Sequence, residues 1–133
     1  MFEKMSNKRP AGLGMTNGQF RPCPNTPNCV STQVAKTDKL HYMEPLTFTG
    51  SARDAIAKAA QIISQQKRAR IVQQTADYLH AEFRIAFFGF IDDVEIFADE
   101  HAHLLHFRSA SRVGRSDLGV NRRRMRRLSN LFR

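Results

Sequence analysis

Acidic residues are scarce at one end of this sequence. From Arg108 to the C-terminus there are nine arginines and one aspartate, Asp117, a net +8. The whole chain carries +9 over 133 residues, so everything before Arg108 is nearly neutral. Charge so unevenly placed fits an anionic surface as partner: nucleic acid, lipid headgroups or an acidic protein. It equally fits a solvated arginine helix neutralised in part from within. Long apolar runs are missing too. Nowhere do about 18 apolar residues follow one another, so no ordinary membrane-spanning helix is expected. Residues 1–9 lack the apolar segment of a secretory signal, and a cytoplasmic location is the default expectation. Cysteine is limited to Cys23 and Cys29. A structural zinc site needs four ligands, and no second cysteine pair is present. Nor is there a nucleophile elbow, a phosphate-binding glycine loop or a metal-binding helix motif. No metal site and no cofactor are expected.

What is present is enough for one domain with a single modest core. Residues 1–20 are polar with few large apolar groups and are expected to form a flexible tail, with residues 21–133 as the domain. Residues 21–32 hold three prolines and two asparagines, which predicts a rigid turning loop outside any helix or ladder. Within it Cys23 and Cys29 form a disulfide if their Cβ vectors converge, which would suit an oxidising compartment; free thiols and a metal pair are the alternatives.

Residues 41–49 read as a short strand restricted by Pro45 to an edge, broken at Gly50. Ser51 followed by Asp54 resembles a capping box. The helix after it sets Ala52, Ala55, Ile56, Ala59, Ala60, Ile62 and Ile63 on one stripe. The basic group at residues 67–70 suits that helix's negative C-terminus. Four strand-like runs follow, at residues 70–75, 78–87, 92–98 and 104–110. A last helix after Gly114, begun near Ser116 and Asp117 or at Asn121, puts Leu118, Met125, Leu128, Leu131 and Phe132 on its apolar stripe. The fold class is therefore α+β: a two-layer sandwich, an antiparallel sheet of about four to five strands with both helices on one face.

Strand parity then carries the functional reading. Leu79, Ala81, Phe83, Val94, Ile96, Leu105 and Phe107 alternate with polar residues. Any register that buries Val94 beside Phe107 gathers His80, Glu82, Arg84, Asp93, Glu95, His106 and Arg108 on the opposite face. Such a face is either wet and crossed by weak ion pairs, or a surface that holds an anion and moves a proton. Arg108 is expected to pair with Asp93 or Glu95. His101, His103 and His106 lack the spacing that fixes a metal's geometry. Phe88 and Phe90, in the connection between two strands, either complete the core or form an exposed contact for a partner, membrane or apolar ligand.

Residues 108–127 concentrate the polar chemistry. Ser109, Ala110 and Ser111 are small enough for close approach between Arg108 and Arg112, whose guanidiniums suit carboxylate or phosphate. Asp117, Asn121 and Arg122 complete the candidate ligand-binding set.

Four segments carry a resemblance: Cys-Pro-Asn-Thr-Pro-Asn-Cys-Val-Ser, Tyr-Leu-His-Ala-Glu-Phe-Arg, Phe-Gly-Phe-Ile-Asp-Asp-Val-Glu, and Arg-Ser-Ala-Ser-Arg-Val-Gly-Arg-Ser-Asp-Leu-Gly-Val-Asn-Arg. In this order, from about Gly12 to the end, they resemble domain-of-unknown-function family 1499. Thr26 and Thr32 stand where that family more often has serine, and Ile85 replaces a small polar residue. The resemblance implies a bacterial or plastid protein, exported or associated with the envelope, and no established activity. Three functions follow in order of expectation. The first is a non-catalytic binding or accessory module for an anionic ligand or acidic partner. The second is nucleic-acid binding by the C-terminal arginine helix, with strong salt dependence; contact with a membrane surface belongs to the same charge. The third is an enzyme using His80 or His106 as base, with a carboxylate and an arginine beside it.

Overall fold

Alternating apolar residues on three consecutive strands bury one side of a sheet, and two amphipathic helices cover that side. The computed structural model describes residues 8–86 and 89–133. The elements run β1 (Cys29–Ser31), β2 (Leu46–Thr47), α1 (Ala52–Ser64), β3 (Ala69–Gln74), β4 (Tyr78–Arg84), β5 (Ile91–Asp99), β6 (Leu104–Ser111) and α2 (Val120–Phe132). The sheet is antiparallel with order β1-β6-β5-β4-β3, and β2 pairs with β6 off that path. Its six strands exceed the four to five expected because β1, three residues at the end of a proline-rich loop, is too short to show an alternating pattern.

The core joins Leu79, Ala81 and Phe83 of β4, Val94 and Ile96 of β5, and Leu105 and Phe107 of β6 to both helices. Burying each large apolar side chain is worth roughly 1.5–3 kcal/mol. On α1 the buried stripe is Ala52, Ala55, Ile56, Ala59, Ala60 and Ile63, with Ile62 partly buried against the core. Ser51 is its N-cap, accepting from the Asp54 N–H at 3.0 Å. The alanines let the helix lie close on β3 and β5. No helix among the described residues is long and apolar enough to cross a membrane.

Several local expectations are corrected. The loop at residues 21–32 does enter a ladder: Cys29, Val30 and Ser31 pair with Ala110, Ser109 and Arg108. Its prolines precede Cys29, so the last residues keep their N–H groups and can form an edge strand. Cys23 and Cys29 are joined by a disulfide. The strand in residues 41–49 shrinks to Leu46–Thr47, directly after Pro45. The basic residues at 67–70 do not sit in the last turn of α1, which ends at Ser64; they form the turn into β3 and its start. Strand β4 stops at Arg84, short of the expected residue 87.

The stripe of α2 is also different. Met125, Leu128 and Phe132 are buried with Asn121, Arg124 and Ser129, whereas Leu118 and Leu131 are 85% and 53% exposed. Leu118 precedes the helix, so its phase does not follow the helical period. The N-cap is Gly119, in the left-handed region at φ 82°, rather than Asp117 or Asn121. Asp117 acts from two residues upstream instead, accepting from the Gly119 and Asn121 N–H groups.

Candidate functional site

The parity argument holds on the face turned away from the helices. The register sets His80 opposite Glu95, Glu82 opposite Asp93, and Glu95 opposite Arg108. This face is not wet. His80, Glu82, Asp93, Glu95 and Arg108 are all buried, because residues 8–22 lie across them. Arg9 donates to Glu82 through Nε and NH2, the Gly14 N–H to Glu95, and Arg108 NH2 to the Pro22 carbonyl.

One half of the face is a saturated charge network. Arg112 bridges two strands, donating from Nε to Asp93 Oδ2 and from NH2 to Asp93 Oδ1 and Glu82 Oε2. Arg70 donates to Glu82 Oε1 at 2.9 Å, and His80 Nε2 meets Asp93 Oδ1 at 2.7 Å. Burial alone would raise the Glu82 pKa, but hydrogen bonds from Arg9, Arg112 and Arg70 outweigh it and bring it down to about 2. Asp93 moves the same way: burial opposes, and Arg112 and His80 prevail. The Arg112 pKa rises, chiefly through its bond to Asp93. Ligand atoms of His80, Glu82 and Asp93 lie within 4.8 Å of one another, a spacing that would suit a cation. The Arg112 guanidinium already bridges the two carboxylates there.

The other half is frustrated. Arg108 NH1 comes only to 4.0 Å from Glu95 Oε1, and no hydrogen bond joins them. Arg108 Nε and NH1 and Glu95 Oε1 have no hydrogen-bond partner among the described residues. The expected Arg108 pair with Asp93 or Glu95 is made with Glu95, as a buried ion pair at 4.0 Å without a hydrogen bond. Tyr78 Oη and the Gly14 N–H both donate to Glu95 Oε2, and Asp93 is held by Arg112 and His80, which leaves Glu95 Oε1 as the carboxylate oxygen facing Arg108. Burial lowers the Arg108 pKa to about 10, helped by the nearby Arg21 charge and opposed by Glu95. Burial and the Glu95 carboxylate together drive the Tyr78 phenol well upward.

Ser109, Ser111, Asp117 and Asn121 belong to a separate network under α2. Ser109 Oγ donates to Asn121 Oδ1 at 2.6 Å, and Asn121 Nδ2 donates to Ser111 Oγ and Asp117 Oδ2. Arg124, which the sequence did not single out, donates to Asn121 Oδ1 and to Asp92 Oδ2, the latter at 2.8 Å. Its guanidinium also lies over the Phe83 ring at 4.8 Å. Burial pushes the Asp92 pKa up and the Arg124 pKa down, each opposed by the pairing. Helical spacing was the available signal, because Arg124 falls on the Asn121–Leu128 face at intervals of three and four.

The remaining candidates scatter. His106 meets Thr32 Oγ1 at 2.8 Å, and burial lowers its pKa. Arg122 holds a loop, donating to the Tyr42 and Leu40 carbonyls. Arg84 donates to the Gly89 carbonyl, away from the His80 group. Phe88 lies outside the described residues; Phe90 is half-buried.

Arg84 belongs instead to a cleft between the β3–β4 end of the sheet and the first turns of α2. Lys67, Arg68, Arg84, Arg123, Arg124 and Arg127 line it around a floor that includes Phe83, Ile85 and Val120, and no acidic residue among those described lines it. The side chains of Lys67 and Arg127 have no hydrogen bond or ion pair among the described residues, and both residues are exposed. Cationic groups in a concave site reinforce one another's field, so the cleft is suited to attract an anion.

A family model described as "Protein of unknown function (DUF1499)" matches residues 19–132, nearly the whole chain. The chain belongs to this family. No curated protein and no solved structure matches it. Family membership agrees with the four sequence segments, which lie in β1, β4, β5 and the β6–α2 region, and it brings no activity with it.

Proposed function

We propose that this member of the family is a binding module for an anionic partner, engaged through the basic cleft beside α2. The observation that carries this reading is the cleft's composition: six cationic side chains, no lining carboxylate among the described residues, and two cations without an internal partner there. On the outer sheet face Arg112 is matched to Asp93 and Glu82, whereas of the cleft's cations only the buried Arg124 is matched to an acid, Asp92. Among the described residues, Arg123 and Arg127 meet no carboxylate. A phosphate or carboxylate group entering there gains charge-assisted hydrogen bonds without first displacing an internal ion pair. The buried His80–Asp93 pair, by contrast, reaches a reactant only after residues 8–22 move.

Titration of the full chain with inorganic tripolyphosphate at low salt tests the reading. Binding is expected to weaken as salt rises, and to fall about tenfold in Arg123→Gln/Arg127→Gln, the loss of two charge-assisted contacts. Equal affinity in the double variant, or none in the wild type, refutes it.

A further inference from the structure

The cleft opens beside an apolar group that a soluble anion has no use for. Leu118 is 85% exposed at the tip of the β6–α2 connection. Its φ is +56°, a left-handed conformation uncommon for leucine, and Gly119 follows at φ 82°. Asp117 holds this turn open by accepting from the Gly119 and Asn121 N–H groups. The side chain is thus presented outward by a fixed backbone. Ile85, Phe90, Val113 and Val120 line a groove with it, and Ile85 and Val120 also line the basic cleft, so the two adjoin.

Charge surrounds this apolar centre on one side. Lys67, Arg68, Arg123 and Arg127 come from the cleft, and exposed Arg115 comes from the same connection as Leu118. The nearby Asp92 and Asp117 carboxylates are committed: Asp92 is buried against Arg124, and Asp117 is bonded to the start of α2. A protruding leucine with cations along one side matches the boundary between acyl chains and anionic headgroups, where apolar insertion and charge attraction act together. Nucleic acid would use the cations but leaves Leu118 without a role, since leucine offers no stacking face.

We propose that this end of the domain docks on an anionic lipid bilayer, with Leu118 inserted at the interface and the cleft arginines on headgroup phosphates. This rests on the anion-binding reading of the cleft and names its partner.

Vesicle flotation of the full chain tests it, using phosphatidylcholine alone or mixed with phosphatidylglycerol. Wild type is expected to float with the mixed vesicles and to stay in solution with neutral ones. Leu118→Gly removes the side chain while suiting the left-handed backbone, so folding is preserved; it should weaken partitioning by about tenfold. Arg123→Gln/Arg127→Gln should weaken it to a similar degree. Unchanged partitioning of Leu118→Gly overturns the insertion. Tripolyphosphate binding without vesicle binding leaves the cleft an anion site and removes the bilayer as its partner. Duplex DNA that binds where vesicles do not likewise removes the bilayer. Failure of both tripolyphosphate and vesicles removes the anion-binding reading itself.

Discussion

Arg108 and Arg124 are both buried arginines, yet their surroundings differ in kind. Arg124 has acceptors on three residues, Ser109, Asn121 and Asp92, plus an aromatic face, and Asp92 depends on it for charge. Arg124→Leu should therefore cost ~3–5 kcal/mol by stranding the buried Asp92 carboxylate, measured by chemical denaturation. Asp92→Asn in the same background should recover part of that loss, because the stranded charge is gone. Arg108 is held by a single carbonyl at 3.1 Å and by a carboxylate 4.0 Å away. Arg108→Met and Glu95→Gln, singly and together, measure what that gap is worth. Two opposite charges buried without bulk solvent still attract at 4.0 Å. The double variant should therefore be less destabilised than the sum of the singles, by ~0.5–3 kcal/mol. Strict additivity would mean the two groups ignore each other.

At the scale of elements, the start of α2 is where local rules and tertiary demands meet. The helix has no side-chain N-cap at Gly119, and Asp117 serves its first N–H groups from outside. Asp117→Ala should cost ~1–2 kcal/mol, within the range for a lost cap, and should loosen the Leu118 turn at the same time. Hydrogen exchange at the Gly119 and Asn121 amides is the direct readout; unchanged protection would show that the carboxylate contributes nothing. The Ser51 cap of α1 was legible from sequence because the pattern lies within four consecutive residues. The α2 cap was misplaced because a left-handed Leu118 breaks the phase, and positive φ at a leucine leaves no compositional mark. The arginine turn into β3 was assigned to the end of α1 for a similar reason: charge preference near a helix terminus is too weak to fix where the helix stops.

For the whole molecule, the outer sheet face ties residues 8–22 to the domain by charge, and this makes stability depend on acidity. Glu82 and Asp93 have pKa values held below their ordinary range in the folded state. A depressed carboxylate contributes stability above its unfolded pKa and loses it as pH falls through the folded value. For Glu82 the window runs from about 4.5 down to about 2. The contribution is about 1–2 kcal/mol after discounting for Arg9, 48% exposed, and the still more exposed Arg70, whose pairs are screened by solvent. Urea denaturation from about pH 5 to about pH 2 should show this decline, and Glu82→Gln should flatten it. A slope unchanged by Glu82→Gln would mean the carboxylate titrates as it does unfolded. Asp92, pushed upward by burial, works in the opposite sense and partly offsets the decline.

Sequence by itself determined the class of fold, the two helices, the four longer strands, and the sharing of one face by His80, Glu82, Asp93, Glu95 and Arg108. Those features rest on periods of about 2 and 3.6, which are properties of the backbone and repeat along the chain. It also determined the concentration of charge after Arg108, which is plain counting. Only the tertiary structure decided which arginine meets which acid. Arg112 rather than Arg108 takes Asp93, because the register sets Arg108 opposite Glu95 and Ala110 opposite Asp93, which brings Arg112, just past the end of β6, to the Asp93 carboxylate. Only the tertiary structure, likewise, turned the polar sheet face into an interior, since residues 8–22 carry no periodic signal that says where they lie. And it brought Lys67 and Arg68 beside Arg123 and Arg127, far along the chain, where loop closure and helix packing rather than local pattern set the distance.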